Sequence, residues 1–546
     1  MKVSIRKRSV ENGSPTCWGH FERAVGESRN LLLNRFLHFV PVLSAKAETG
    51  TSVEMTVGLF YGVIKKLLFA AVLGFCLVGL AKADLTGQID SIISRSSQQK
   101  VHFSVHIIKA DSGATVYSHN EREPMIPASN MKIITTAAAL KYLGPGYVYK
   151  TKVGLSDNTL VVIGSGDPLL GDRVTDAKYG REYGWIFKDI AEALKRSGVK
   201  TISNIIVDTG AFDDQRVHPN WPKEDLNRWY ACEVSALNFN CNCVQISAKN
   251  IAGKAVISIE PQTDFVKLVN EVVLISDGIS TIGAYRNRQP NRLIVRGKCK
   301  DQVEPFPVAI ERPATFFGFL LAENLAGAGI NVKGNLIEKT TGNYGNFRLL
   351  AEFSTPIADC LARCNKDSLG LAAEALLKTI AANTNPERKN GSWKMGQELV
   401  RRYLLDLDID ASQFYIDDGS GLSRQNELSA HAIAKVLLNI YNSKNWKLYK
   451  DSLAVGGIDG TIGKFFTEQN YKGKIFGKTG YIEGVKSFSG VCSTIDADYI
   501  FSILTNNANG QTREAINDIA KAIYDSAEPR TPKTNTEPNK PSEPND

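Results

Sequence analysis

The chain has 546 residues, 43% of them hydrophobic and 22% charged, which is the balance of an ordinary globular protein and excludes a fibrous or largely disordered chain. That length exceeds what one hydrophobic core usually holds, so more than one domain is expected. The net charge of +8 sits mostly at the front: residues 1–83 carry 11 Lys or Arg against 5 Asp or Glu, and the remainder of the chain has no basic stripe of the kind that tracks nucleic acid.

Residues 1–54 lack an organising pattern, and Met55 stands where an initiator for the next segment would belong, so 1–54 reads as an N-terminal extension from a misassigned start or as a cytoplasmic tail. Lys65 and Lys66 precede an apolar run from Leu67 to Leu80 and then Ala81-Lys82-Ala83. This predicts a signal peptide over 55–83, cleavage before Asp84 and an extracytoplasmic, periplasmic protein. A membrane anchor starting near Val57 is the competing reading, although the Leu67–Leu80 run is short for a bilayer span. Seven cysteines follow residue 83; export would permit disulfides among Cys232, Cys241, Cys243 and Cys299. Their spacing matches no zinc pattern and there is no HExxH, so no metal is predicted.

In chain order, Val101–His106 and Gly113–Tyr117 read as a hairpin. A buried helix opens near Ser129, and a strand over 158–163 ends at Gly164-Ser-Gly-Asp-Pro168. From about 165 to 345, a helix (Trp185–Lys195) is followed by strands at Ile205–Asp208, Lys254–Ile259, Val272–Ile275 and Arg292–Val295, a second helix at Phe317–Leu325 and a strand at Ile330–Gly334, and this stretch is expected to be a separate inserted α+β unit. Helices then begin at Pro356, Leu371, Gly391 and Ser429; Asp417–Arg424 is a turn-rich loop; Lys474–Lys478 is a short strand; and Arg513–Tyr524 is the closing helix. The tail 528–546 has five prolines in 19 residues and no apolar cluster, a disordered composition.

Two short motifs carry chemistry. Ser129-Asn-Met-Lys132 puts a hydroxyl and an ammonium three residues apart on one helical face. A serine becomes a useful nucleophile only when a neighbouring base takes its proton, and a lysine desolvated by Ala128, Ile133 and Ile134 can serve. Lys478-Thr479-Gly480 at a late strand adds a cation, a hydroxyl and a close backbone approach, suited to gripping a substrate carboxylate while peptide N–H groups receive an oxyanion. SxxK on a helix followed by KTG on a strand is the paired signature of penicillin-binding enzymes.

Over roughly residues 95–525 the chain resembles the class C low-molecular-mass penicillin-binding proteins, the D-alanyl-D-alanine carboxypeptidase/endopeptidase family S13. The resemblance rests on Pro127-Ala-Ser-Asn-Met-Lys132, Gly164-Ser-Gly-Asp-Pro168, Asn365–Glu374, Asp418–Arg424 and Gly477-Lys-Thr-Gly480. It implies an α+β fold (an α/β sandwich) of the penicillin-binding and β-lactamase-like kind. Residues 84–164 and 346–527 would form the transpeptidase-like domain, interrupted by 165–345, which explains the 349 positions between Ser129 and Lys478.

By the same resemblance Ser129 is the acylated nucleophile, Lys132 its base and Ser368 a proton shuttle. Lys478, Thr479, Gly480, Tyr481 and Gly370 would face the substrate. Two positions depart from the pattern: Gly370 stands where the Ser-x-Asn motif has asparagine, and Tyr481 where threonine is usual. The expected function is a serine-type D-Ala-D-Ala carboxypeptidase or endopeptidase that acts on peptidoglycan stem peptides through an acyl-enzyme and reacts with β-lactams. No cofactor and no nucleic acid are implied, and the protein would be peripheral to or near the membrane. The alternative is a catalytically impaired relative that binds cell-wall peptide or acts as a scaffold. Returning asparagine at 370 is expected to raise peptide turnover about tenfold if the site is merely weakened.

Overall fold

The computed structural model describes residues 84–340, 342–384 and 390–527; the extension, the signal segment and the tail lie outside them. The described residues form one compact unit.

Its centre is a six-stranded antiparallel sheet in the order Ala454–Val455, Ile475–Ile482, Val485–Ser493, Asp498–Asn506, His102–Lys109, Thr115–His119. The last strand of the chain thus pairs with the first, His102 opposite Asn506 through Lys109 opposite Tyr499. Side chains alternate across a strand. Phe103, Val105 and Ile107 face one layer, the helices Leu85–Ile93 and Thr512–Asp525, with Phe488, Phe501 and Ile519. Ile108, Val491, Ile500 and Leu504 face the other, which holds the helices Met131–Leu143, Gly370–Thr384 and Ala430–Tyr441. The result is the expected sandwich of helices around a sheet.

The nucleophile helix Met131–Leu143 buries every residue from Met131 to Leu140, so it is a central helix with no polar face. Its threonines satisfy themselves: Thr135 Oγ1 donates to the Gly419 carbonyl at 2.7 Å and Thr136 Oγ1 to the Lys132 carbonyl at 2.6 Å. The Gly370–Thr384 helix, buried from Gly370 to Ala381, packs beside it.

A second, five-stranded sheet runs in the order Leu336–Lys339, Asn204–Asp208, Thr159–Ile163, Val148–Ser156, Arg348–Pro356. This moves the expected domain boundary. Arg348–Pro356, Val148–Ser156 and Thr159–Ile163, assigned from sequence to the transpeptidase-like part, pair in succession, and Thr159–Ile163 is hydrogen-bonded to Asn204–Asp208 of the inserted region, so one sheet spans both. Thr159–Ile163 lies parallel to Asn204–Asp208, and a parallel pair requires a crossover, supplied here by the helix Trp185–Arg196. The Gly164–Pro168 turn opens that crossover.

The inserted region does not stand wholly apart. Its β-rich part has its own core around Phe187, Phe239, Phe316 and Phe317, but Phe212, Trp221, Cys232, Val234 and Ala236 belong to the core beneath the nucleophile helix. Two three-stranded sheets and the short parallel pair Thr201–Ile202 and Asn331–Val332 complete the region. All seven described cysteines are free thiols, so none of the disulfides that export would permit is formed. No helix among the described residues is long and apolar enough to cross a membrane.

Candidate active site

Ser129 lies in the single 3₁₀ turn Ala128–Asn130 that enters the nucleophile helix. Ala128 takes φ +47°, and the turn is clamped from outside by Gly421, where a Cβ would fall 1.8 Å from the Ala128 carbonyl oxygen. One helical turn later Lys132, 3% exposed, donates from Nζ to Ser129 Oγ at 2.9 Å and to the Ser420 carbonyl at 2.8 Å. Burial pushes the Lys132 ammonium below the ordinary lysine range, against the pull of Cys364, Glu374 and Asp418.

Facing it, Lys478 is fully buried and donates to Ser368 Oγ at 2.9 Å and to the Thr479 carbonyl at 2.6 Å. Burial first, and repulsion from Lys132 second, hold its pKa well below normal. Ser368 sits in the joint between the helices Ile357–Lys366 and Gly370–Thr384 at φ +61°, a left-handed conformation that costs a non-glycine residue about 1 kcal/mol or more.

The strand holding Lys478-Thr479-Gly480-Tyr481 is longer than expected, Ile475–Ile482, and runs through the motif. Beyond Gly477 its outer edge has no strand partner among the described residues, which leaves alternate backbone groups open to the cleft. Gly480 permits the closest approach: a Cβ there would lie 2.1 Å from Ser487 Oγ and 3.0 Å from the Ser129 amide nitrogen. Ser487 Oγ in turn donates to the Pro127 carbonyl at 2.7 Å, tying the nucleophile turn to the sheet. Ser129, Lys132, Ser368 and Thr479 line a cleft of about 570 Å³ together with Gly370, Tyr481 and Leu422, with Lys478 and Gly480 in the wall behind them. Tyr481 is 68% exposed at its rim.

All eight residues singled out from sequence therefore converge on one cleft or its walls. Several neighbours were not legible. Asp225, Trp229 and Tyr230 reach the cleft from the inserted region. Thr461 Oγ1 accepts from Thr479 Oγ1 at 2.9 Å, and Arg513, which burial pushes down to about 10, holds the Gly480 carbonyl at 3.1 Å. Glu374 lies beneath the floor, accepting from the Gly419 and Ser420 amides at 3.0 and 2.7 Å and from Trp393 Nε1 at 2.8 Å. It thereby holds Ser420, the residue whose carbonyl accepts from Lys132. Asp418 organises the same loop through the Gly421 and Ser423 amides. Arg424, at the end of this loop, donates to the Glu483 carbonyl at 3.0 Å.

Gly370 needs a second correction. It is the first residue of its helix, and a Cβ there would lie 2.8 Å from the Tyr230 carbonyl oxygen. A backbone atom of the inserted region occupies the approach that an asparagine side chain would use. Asparagine at 370 must displace the Tyr230 peptide, so the tenfold gain expected from sequence does not follow from this geometry.

A serine–lysine turn lodged against the outer strand of an antiparallel sheet, with a large inserted region, is the penicillin-binding, transpeptidase-like arrangement. The crystal structure of penicillin-binding protein 4 from Haemophilus influenzae shares this fold, with a TM-score of 0.68 at 22% identity over 80% of this chain and 98% of that one. The chain belongs to the D-Ala-D-Ala carboxypeptidase 3 (S13) family, whose profile matches residues 85–526. A D-alanyl-D-alanine carboxypeptidase from Actinomadura sp. (strain R39) is 27% identical over 468 residues, 81% of this chain and 84% of the relative. The D-alanyl-D-alanine carboxypeptidase DacB of Haemophilus influenzae is 24% identical over 394 residues, 69% of this chain and 79% of the relative. At family level the chain is a serine hydrolase of peptidoglycan peptides.

Proposed function

We propose that the chain is an active serine D-Ala-D-Ala carboxypeptidase or endopeptidase that works through an acyl-enzyme at Ser129. The observation that carries this reading is the 2.9 Å contact of Lys132 Nζ with Ser129 Oγ, set across one cleft from the 2.9 Å contact of Lys478 with Ser368. Lys132 takes the hydroxyl proton as Ser129 Oγ attacks the carbonyl carbon of the penultimate D-alanine. The oxyanion forms beside the Ser129 amide and the open edge of the outer strand. Ser368 relays the proton to the leaving amine, the C–N bond breaks, and water then releases the acyl group.

The two lysines assist one another. A substrate carboxylate arriving at Thr479 and Lys478 favours the charged form of Lys478, and that charge favours the neutral, basic form of Lys132. The test is release of free D-alanine from a peptide ending in D-Ala-D-Ala. Turnover supports the reading; no release of D-alanine or of a cross-linked amine, despite an intact fold, transfers the protein to the peptide-binding alternative that Gly370 and the exposed Tyr481 favour.

The protein is further proposed to act outside the cytoplasmic membrane. In support, Asp84 Oδ1 caps the first helix by accepting from the Gly87 amide at 2.7 Å, so cleavage before Asp84 leaves a helix with its cap. N-terminal sequencing of envelope-derived protein should find Asp84; a mature start within 1–54 contradicts this.

A further inference from the structure

The edge of the main sheet farthest from the catalytic strand holds a second cavity. It lies between the strands His102–Lys109 and Thr115–His119, the loop after them, and the helix Ala430–Tyr441. Its volume is about 250 Å³, and His106, Ser118, Glu121, Arg122, His431 and Lys435 line it.

Four of these six side chains can carry positive charge, and they are poorly neutralised. Among the described residues the one ion pair of Arg122 is with its chain neighbour Glu121, at 3.7 Å, with Asp410 as a more distant opposite charge, and the one hydrogen bond of Lys435 is to the Asp408 carbonyl, at 3.1 Å. The two imidazole rings lie 5.5 Å apart. His431 Nδ1 is 2.9 Å from Gln413 Oε1, an oxygen that also accepts from the Ser429 hydroxyl. An amide oxygen accepts and cannot donate, so His431 carries its hydrogen on Nδ1, leaving Nε2 to gain a proton. His106 is 6% exposed; its Nε2 meets Thr115 Oγ1 at 3.2 Å, while its buried Nδ1 has no partner among the described residues. A buried imidazole nitrogen left unpaired is costly, and the ring that carries it lines the cavity where the other cations converge.

We propose that this cavity binds a small tetrahedral oxyanion of the sulfate or phosphate class, a site separate from the catalytic cleft. Arg122 and Lys435 supply fixed charge, Ser118 and His106 Nδ1–H supply donors, and His431 adds a donor when protonated. A cation is disfavoured there by Arg122 and Lys435, and no group of three metal-ligating side chains is assembled among the described residues.

The charges facing the histidines also give the site a pH dependence. Burial, then His431, depresses His106 to about 4, with Arg122 adding to the effect and Glu121 opposing it. His431 is depressed by burial, then Arg122, then Lys435, again against Glu121. An oxyanion reverses this repulsion and draws protons onto the rings, so it binds more tightly as pH falls.

The test is a sulfate titration of the whole protein with labelled histidines, at pH 6 and pH 8 and constant ionic strength against chloride. Sulfate keeps its charge over that range. Saturable shifts are expected at His106 and His431 and not at His102, His119 or His218, with affinity roughly tenfold higher at pH 6. The double variant Arg122→Ala/Lys435→Ala, altered at partly exposed positions, should bind at least about tenfold more weakly while keeping its far-UV spectrum. Glycerol 3-phosphate in the same assay separates a phosphate ester from a free ion, and either response supports the site. Shifts that chloride reproduces, that do not saturate, or that survive in the double variant overturn the proposal; acetate binding as tightly as sulfate overturns the tetrahedral class.

Discussion

Replacing Lys132 by methionine should slow acylation of Ser129 by penicillin by roughly 10²–10⁴-fold while leaving the fold intact. Methionine matches the lysine stem in length and suits a position that is 3% exposed, so the packing of the nucleophile helix survives. What is lost is the base 2.9 Å from the serine hydroxyl. In the unsubstituted protein the acylation rate should rise with pH through deprotonation of Lys132, at a pH below the ordinary lysine range because burial disfavours the ammonium. Stopped-flow acylation rates, with urea unfolding to verify the fold, decide the matter. A rate within threefold of the parent would remove Lys132 from the mechanism.

The second large effect is on stability. Glu374→Ala should cost roughly 3–5 kcal/mol, because it strands three buried donors, the Gly419 and Ser420 amides and Trp393 Nε1, at once. It should also lower peptide turnover, since the Ser420 carbonyl that steadies Lys132 is no longer held. The carboxyl leaves a pH signature. Burial, reinforced by Asp418, raises its pKa from 4.5 to about 7. Between those values the folded protein keeps a proton that the unfolded chain has lost, so this group's contribution to stability declines as pH rises from about 4.5 to about 7. Urea midpoints should therefore show the parent losing its advantage over Glu374→Gln across that window. A difference independent of pH, or a Glu374→Ala cost below 1 kcal/mol, contradicts the role assigned to Glu374.

Legibility in the sequence followed the range of the contacts. Ser129 and Lys132 are one helical turn apart, and Lys478, Thr479 and Gly480 are consecutive on a strand, so local periodicity identified them. Ser368 and Gly370 had no local signature and entered by resemblance alone. Thr461, Arg513 and Glu374 serve the site through contacts spanning 18 to 46 positions, and a threonine in a turn, an arginine on the last helix and a glutamate in an apolar helix carry no mark of that use. The reach of the second sheet was hidden for a related reason: Gly164-Ser-Gly-Asp-Pro168 reads locally as a turn that ends a strand, and only the pairing of Thr159–Ile163 with Asn204–Asp208 shows that it begins a crossover. The obstacle at Gly370 was equally invisible, since it is set by the backbone of Tyr230, 140 positions away.

The central claim is that Ser129 is an activated nucleophile, and intact-protein mass after exposure to a labelled penicillin tests it most directly. The account predicts one covalent adduct per chain, localised by peptide mapping to the segment containing Ser129 and absent from Ser129→Ala. A parent protein that stays unmodified after prolonged exposure, or a Ser129→Ala variant that still carries the label, would contradict it.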